Sequence, residues 1–340
     1  MNLYTSLKFA FLLLFIFLST ALLAGTKRVN NTLATDKTKN IFATLQEAHD
    51  AAAGGDTLLV EGTIKPYALL NCSKPLVIIG TGFFLTQNGG QANALSAVVN
   101  QINFNSGSEG SAIIGLLFLN TNSNNCPYVA VDGISIIRCY LANGILITGN
   151  ITSLIVIQNY ITGPINVYNS NLTLSGAILK NNIIDNGINV SSSPTVPRVF
   201  AIVEHNIFTN VVTLSTSSFR SNILTSTAVP TITSSAIQNN LTLGTQFNSI
   251  ATNQSYGSSD KLFVGVSASN NSPDGQYKIV AGSAFAKAGY NGEEPGVFGS
   301  AAPYVLSGIP PIPSVYELQA DAVASKADGL NVTIKARANQ

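Results

Sequence analysis

The chain has 340 residues, of which only 17 are basic and 16 acidic. A surface so poor in charge cannot neutralise a row of phosphates, which excludes nucleic acid as a partner, and it gives little hold on a strongly acidic polysaccharide. Asn, Ser and Thr stand in place of charges, and they offer neutral hydrogen bonds.

Lys8, the unbroken apolar run Phe9–Leu18 and the small residues that follow have the layout of a secretory signal peptide over residues 1–24, with cleavage after Ala21 or Ala24. Phe9–Ala24 falls short of the roughly 20 residues a spanning helix needs. The expectation is therefore export, to the medium or the cell surface, with no transmembrane span once the signal is removed. Residues 25–41 read as a polar leader. Thr44-Leu45-Gln46-Glu47 then fits a capping box, with Thr44 as N-cap and Glu47 reaching back. The short helix it starts ends at Gly54 and directly precedes a strand at Thr57–Val60, where it would cap the apolar end of a solenoid.

From Thr57 onward β-branched and aromatic runs alternate with Gly, Asn and Ser clusters: Leu76–Ile79, Phe83–Leu85, Ala97–Val99, Ala112–Leu119 and Val129–Val131. Between Ile136 and Leu241 one phrase returns: IIRCYL, VIQNYI, ILKNNI, IVEHNI, SFRSNI and AIQNNL. Anchored on Ile137, Ile157, Leu179, Val203, Phe219 and Ile237, its steps are 20, 22, 24, 16 and 18 residues. A recurrence of that length marks coils that bury their apolar faces against one another. Each clear copy carries a second strand with an outward residue between two apolar ones: Leu146, Asn166, Asn189 and Thr213.

ILKNNIIDNGINV at Ile178–Val190 and TLQEAHDAAAGGDTLLVEGT at Thr44–Thr63 resemble the pectin-lyase-like superfamily, over roughly Phe42 to Phe263. The resemblance implies an all-β, right-handed parallel β-helix over residues 42–288, with a short N-terminal capping helix. Residues 289–340 read as a closing cap and tail with strands at Ser314–Leu318 and Leu330–Ala336.

Equivalent positions in successive coils become vertical neighbours. The residue after each anchor gives the column Arg138, Gln158, Lys180, Glu204, Arg220 and Gln238, readable as a solvated charge ladder or as a ligand row. Asn182, Asn206, Asn222 and Asn240 form a second column of structural amides. Tyr140 and Tyr160 precede them in that column. Together with Arg138 and Gln158 these tyrosines are the expected contacts for a sugar ring. Cys139 is assigned the equivalents Asn159, Asn181, His205, Ser221 and Asn239, which favours a small buried residue over a disulfide with Cys126.

The superfamily's lyases use calcium and a basic residue, and its hydrolases use close carboxylates. Neither set is evident. The best catalytic constellation is Asp185, Glu204, His205, Lys180 and Arg220, although Glu204 and His205 are adjacent and point opposite ways on a strand. Asp260, Asp274, Glu293 and Glu294 are the acids available to calcium, with no ligand loop to support it. No cofactor or metal site is assigned. The reading is an exported, non-catalytic binding or scaffold protein, with neutral carbohydrate as the ligand that fold analogy implies. The alternatives are a divergent polysaccharide lyase or glycoside hydrolase, and a structural adhesin that contacts protein.

Overall fold

The structure, a computed structural model, describes residues 24–88, 91–119, 126–234, 236–247, 250, 252–258, 262–265, 271–321 and 329–339. All but the last residue of the expected signal peptide lies outside that range. The chain winds as a parallel β-helix with three short strands per full coil. In one coil these are Ile134–Ile137, Tyr140–Leu141 and Ile145–Ile147. In the next they are Leu154–Ile157, Tyr160–Ile161 and Ile165–Val167, each paired in parallel with its counterpart below. Three walls of stacked strands result, called here the first, second and third sheets in the order a coil visits them, the first and third joining where Val199 and Phe200 pair with Ser215 and Thr216.

Alternation decides what is inside. In the third sheet Ile145 and Ile147 are buried while Leu146 faces out, and Ile188 and Val190 flank an exposed Asn189. The inward residues fill one continuous core in which Phe104, Phe118, Phe208 and Phe219 are fully buried. Removing that apolar surface from water, at about 25 cal/mol per Å², is the driving force for coiling.

The N-terminal helix, Leu45–Ala51, starts where its sequence says. Thr44 accepts a hydrogen bond from the Glu47 N–H at 3.1 Å. Glu47 does not close the box, because its carboxylate accepts from the Thr35 hydroxyl at 2.8 Å instead. At the other end Lys74 Nζ donates to the carbonyls of His49, Asp50 and Ala52, a cation on the negative end of the helix. Residues 25–41 are not a loose leader. Thr26–Val29 pairs in parallel with Thr57–Val60 and with Ile41–Phe42, so it belongs to the first sheet. Its Val29, buried beside Phe42 and Leu58, carries too much apolar surface to stay in water.

The recurring phrase stacks coil on coil, with one correction of register. Leu179, Val203 and Phe219 stand in file as expected, but the residues below them are Val156 and Ile136, not Ile157 and Ile137. The reason is that the corner after the first sheet has the same two-residue form in every coil. Its first residue is left-handed throughout: Arg138, Gln158, Asn181, His205, Ser221 and Asn239 have φ between 52° and 59°. Its second residue is Cys139, Asn159, Asn182, Asn206, Asn222 and Asn240, followed by Asn253 at the C-terminal end.

From Asn159 upward these amides form a ladder. Each Oδ1 accepts the backbone N–H of the corner below, as Asn206 does from Asn182 at 3.0 Å, and above Asn159 each also accepts from that residue's Nδ2. Each Nδ2 further donates to a first-sheet carbonyl, as Asn206 does to Leu179 at 2.8 Å. Cys139 ends the ladder: its N–H donates to Asn159 Oδ1, and its buried thiol is pushed up to about 12 by desolvation. Cys72, Cys126 and Cys139 are all free thiols.

Removing one rung strands buried donors and acceptors on both sides, at about 1–3 kcal/mol each. Asn206→Ala is expected to lower stability by about 3 kcal/mol, read as a shift in the urea midpoint. The exposed Asn166→Ala is expected to leave the midpoint unchanged.

Candidate functional site

Two surfaces of the solenoid carry the residues that could bind or react, and the chain itself has covered one of them. The outward residues of the second sheet are apolar: Tyr140, Tyr160, Ile183, Ile207, Ile223 and Leu241 follow one another coil by coil. After the last coil the chain turns back and runs down this wall as a strap, residues 288–309, burying Ala288, Val297 and Tyr304 against it. The left-handed corner residues hold the strap from the side. Asn239 Nδ2 donates to Ala288 O, and Ser221 Oγ accepts from the Tyr290 N–H at 2.8 Å. Asn181 Nδ2 donates to Val297 O and Gly299 O at 2.8 and 3.0 Å. Gln158 Nε2 donates to Pro303 O at 2.5 Å, and Arg138 donates to Ile309 O at 2.9 Å. The left-handed backbone is what turns these side chains outward, away from the core.

The strap ends in a buried knot around Asp274. Its carboxylate accepts from Ser272 Oγ, Asn88 Nδ2, Tyr304 Oη and the Ser307 N–H, the last at 2.6 Å. Burial of Tyr304 beside this carboxylate raises its hydroxyl well above the ordinary phenol range. Past the knot, Ser314–Ala320 and Val332–Arg337 form an antiparallel pair, close to the strands expected there.

The expected ligand contacts therefore lie under the strap. Tyr140 and Tyr160 do meet, edge to face at 5.1 Å, but Phe83 and Phe84 pack on both of them. Tyr160 is 7% exposed. Burial, with Tyr277 and Asp185 nearby, pushes its hydroxyl up. Tyr140 pairs with Tyr160 and Tyr160 with Ile183, not with the asparagines, which corrects the column they were assigned. Arg138 and Gln158 are left-handed corner residues, not members of the column with Lys180 and Glu204. The true members there are Ile137 and Ile157.

The constellation Asp185, Glu204, His205, Lys180 and Arg220 is not brought to one point. Lys180, Glu204 and Arg220 are vertical neighbours at the edge of the first sheet, yet no ion pair closes between them among the described residues. Glu204 accepts from Ser218 Oγ instead, and the Arg220 guanidinium lies 4.5 Å from the centre of the Tyr290 ring. Asp185 follows Ile183–Ile184 on the second sheet, around the corner from Glu204, and accepts from Thr209 Oγ1. His205 faces the strap, with Nε2 at 3.0 Å from Glu293. His49, the other histidine, is a buried residue of the cap helix itself and accepts from the Ser73 N–H. Of the acids weighed for calcium, Asp274 and Glu293 are engaged separately and Asp260 lies outside the described residues. Among the described residues no three His, Cys, Asp or Glu side chains converge on a point, and no helix is long and apolar enough to cross a membrane.

The third sheet is open to solvent. Its outward file runs Asn71, Asn103, Tyr128, Leu146, Asn166, Asn189, Thr213 and Thr231. None is charged, and parallel coils set successive members about 4.8 Å apart. Asn103 Nδ2 donates to Asn71 Oδ1 at 2.9 Å, so the amides can bond up the file. Two tyrosines stand here. Tyr128 is part-exposed and Tyr168, just past Ile165–Val167, is 74% exposed. Burial and the neighbouring Cys126 and Tyr168 raise the Tyr128 hydroxyl. Neither tyrosine belongs to the recurring phrase. The period-two alternation of Tyr128 between Pro127 and Val129 is the signal that could have found it.

The strap's hold is testable at one rung. In Asn181→Ala the buried carbonyls of Val297 and Gly299 lose their donor, at about 1–3 kcal/mol. Amide exchange over residues 297–304 is expected to accelerate while that of Ile145–Ile147 stays put, and Lys180→Ala is expected to change neither. Compared with known proteins, the chain matches no family model, no curated protein and no solved structure.

Proposed function

We propose that this chain is an exported, non-catalytic protein of the pectin-lyase-like kind that binds neutral carbohydrate on the open third sheet. The observation that carries the reading is the uncharged outward file of that sheet, with Tyr128 and Tyr168 standing on either side of Leu146. A pyranose ring has an apolar C–H face and a rim of hydroxyls. Tyrosine faces and a leucine suit the first, and Asn, Ser and Thr side chains suit the second. A polyanion would ask for cations, and the file has none to give. A flat, regularly spaced strand face suits an extended chain better than a single enclosed sugar, which favours a polymer over a small molecule. Export and surface location rest on the layout of residues 1–24.

A glycan array with turnover assayed on every hit tests this. The expected result is retention of neutral polysaccharide with no product released. Product release, or retention of no neutral glycan, would overturn it. Truncating an aromatic anchor costs about 1 kcal/mol or more, a factor of about five in affinity. Tyr168→Ala and Tyr128→Ala are each expected to weaken binding by that factor at unchanged melting temperature. Tyr140→Ala is expected to do the reverse.

A further inference from the structure

Most rungs that fasten the strap join neutral groups. His205 is different, because it meets an ionisable partner: its Nε2 lies 3.0 Å from Glu293 Oε2. The ring is 4% exposed, and its left-handed backbone, φ 55°, aims it into the strap. Nδ1 is buried with no hydrogen-bond partner. The backbone of Gly299 closes that side so tightly that an added Cβ there would stand 3.0 Å from Nδ1.

Every charged group near the ring can be named. Glu293 and the Gly296 backbone, from the strap, favour a second proton, as does Glu204 from the first sheet. Lys180 opposes it. Arg220, one coil on, is occupied by Tyr290. Glu294, the next strap residue, is half-buried and held partly toward its neutral form. Desolvation outweighs them all and lowers the proton affinity of His205 below its ordinary value.

We propose that His205 and Glu293 form an acid-released latch: the neutral imidazole holds the strap through Nε2–H, and protonation at Nδ1 frees residues 288–299 from the wall. Nδ1 makes no hydrogen bond in the closed arrangement, so a second ring proton there is poorly satisfied, and the ring gains full solvation by turning toward water, which breaks the rung. The sign follows from linkage. The open form binds the proton more tightly than the closed form. Closure is therefore complete above a pH of about 6.5, the ordinary histidine value, and weakens as pH falls toward the lower closed-form value. The freed segment uncovers Ile207 and Ile223, against which Gly296 packs, so the open form presents an apolar stripe.

Amide exchange of the full chain at pH 7.5 and pH 5, corrected for intrinsic rates, tests the latch together with a ring-proton titration of His205. His49 is the only other histidine, so the signals are assignable. The expected result is exchange about tenfold faster over residues 288–299 at pH 5, with the third-sheet strands unmoved. The midpoint should track the His205 titration, and His205→Gln should abolish the pH dependence. Protection indifferent to pH, a midpoint that does not follow His205, or unchanged pH dependence in His205→Gln would each overturn the proposal. Should His205→Gln not fold, the two measurements on the wild-type chain decide alone.

Discussion

The amide ladder at the corner between the first and second sheets is the constraint on which the rest of the structure depends. A two-residue corner leaves the backbone N–H of its second residue without a strand partner, and a buried donor of that kind must be satisfied. A column of asparagines does so from Cys139 to Asn253, each serving the coil below it while bonding a first-sheet carbonyl. Because every rung needs its neighbour at one height and one angle, the ladder fixes the stacking register. The coils differ in length elsewhere, from 13 to 24 residues between successive members of this column, since the variation is absorbed in the other turns.

That register has a second effect. A left-handed residue precedes each rung, a conformation costing roughly 1–2 kcal/mol for most side chains and less for Asn. Its reward is direction. Arg138, Gln158, Asn181, His205, Ser221 and Asn239 all point to the same side, where they grip one returning segment. The second sheet can then afford an apolar outer wall. A parallel sheet covered on both faces reads as continuous hydrophobic sequence, which is what Ile183-Ile184, Ile207-Phe208 and Ile223-Leu224 are.

Those same dipeptides show what the sequence made legible and what it hid. Period and alternation sufficed for the coils, the cap helix and the outward file Leu146, Asn166, Asn189 and Thr213. The register slip came from tyrosine. In IIRCYL and VIQNYI an aromatic residue follows Cys139 and Asn159, and matching Tyr140 to Asn182 displaced the first two coils by one. The strap stayed hidden for a different reason: residues 288–309 show no periodicity, and nothing local tells a closing cap at the end of a stack from a cover along its side. Val29 was missed because a lone four-residue strand among polar residues carries little pattern of its own.

The path of the strap sets where the molecule can be pulled. The chain climbs the stack from Thr26–Val29 to Gln254–Ser255, drops to Asn88 at Asp274, returns to Asn239 at Ala288 and descends again, so that Ser307 bonds Phe83 and Val315 bonds Ala92 near the starting end. Both ends of the described chain thus leave from one pole. Tension between a tether at one terminus and a load at the other would bypass the coils and fall first on the Asp274 knot and the earliest turns. The stack itself would act as an unstressed mast, free to project its long side into solution.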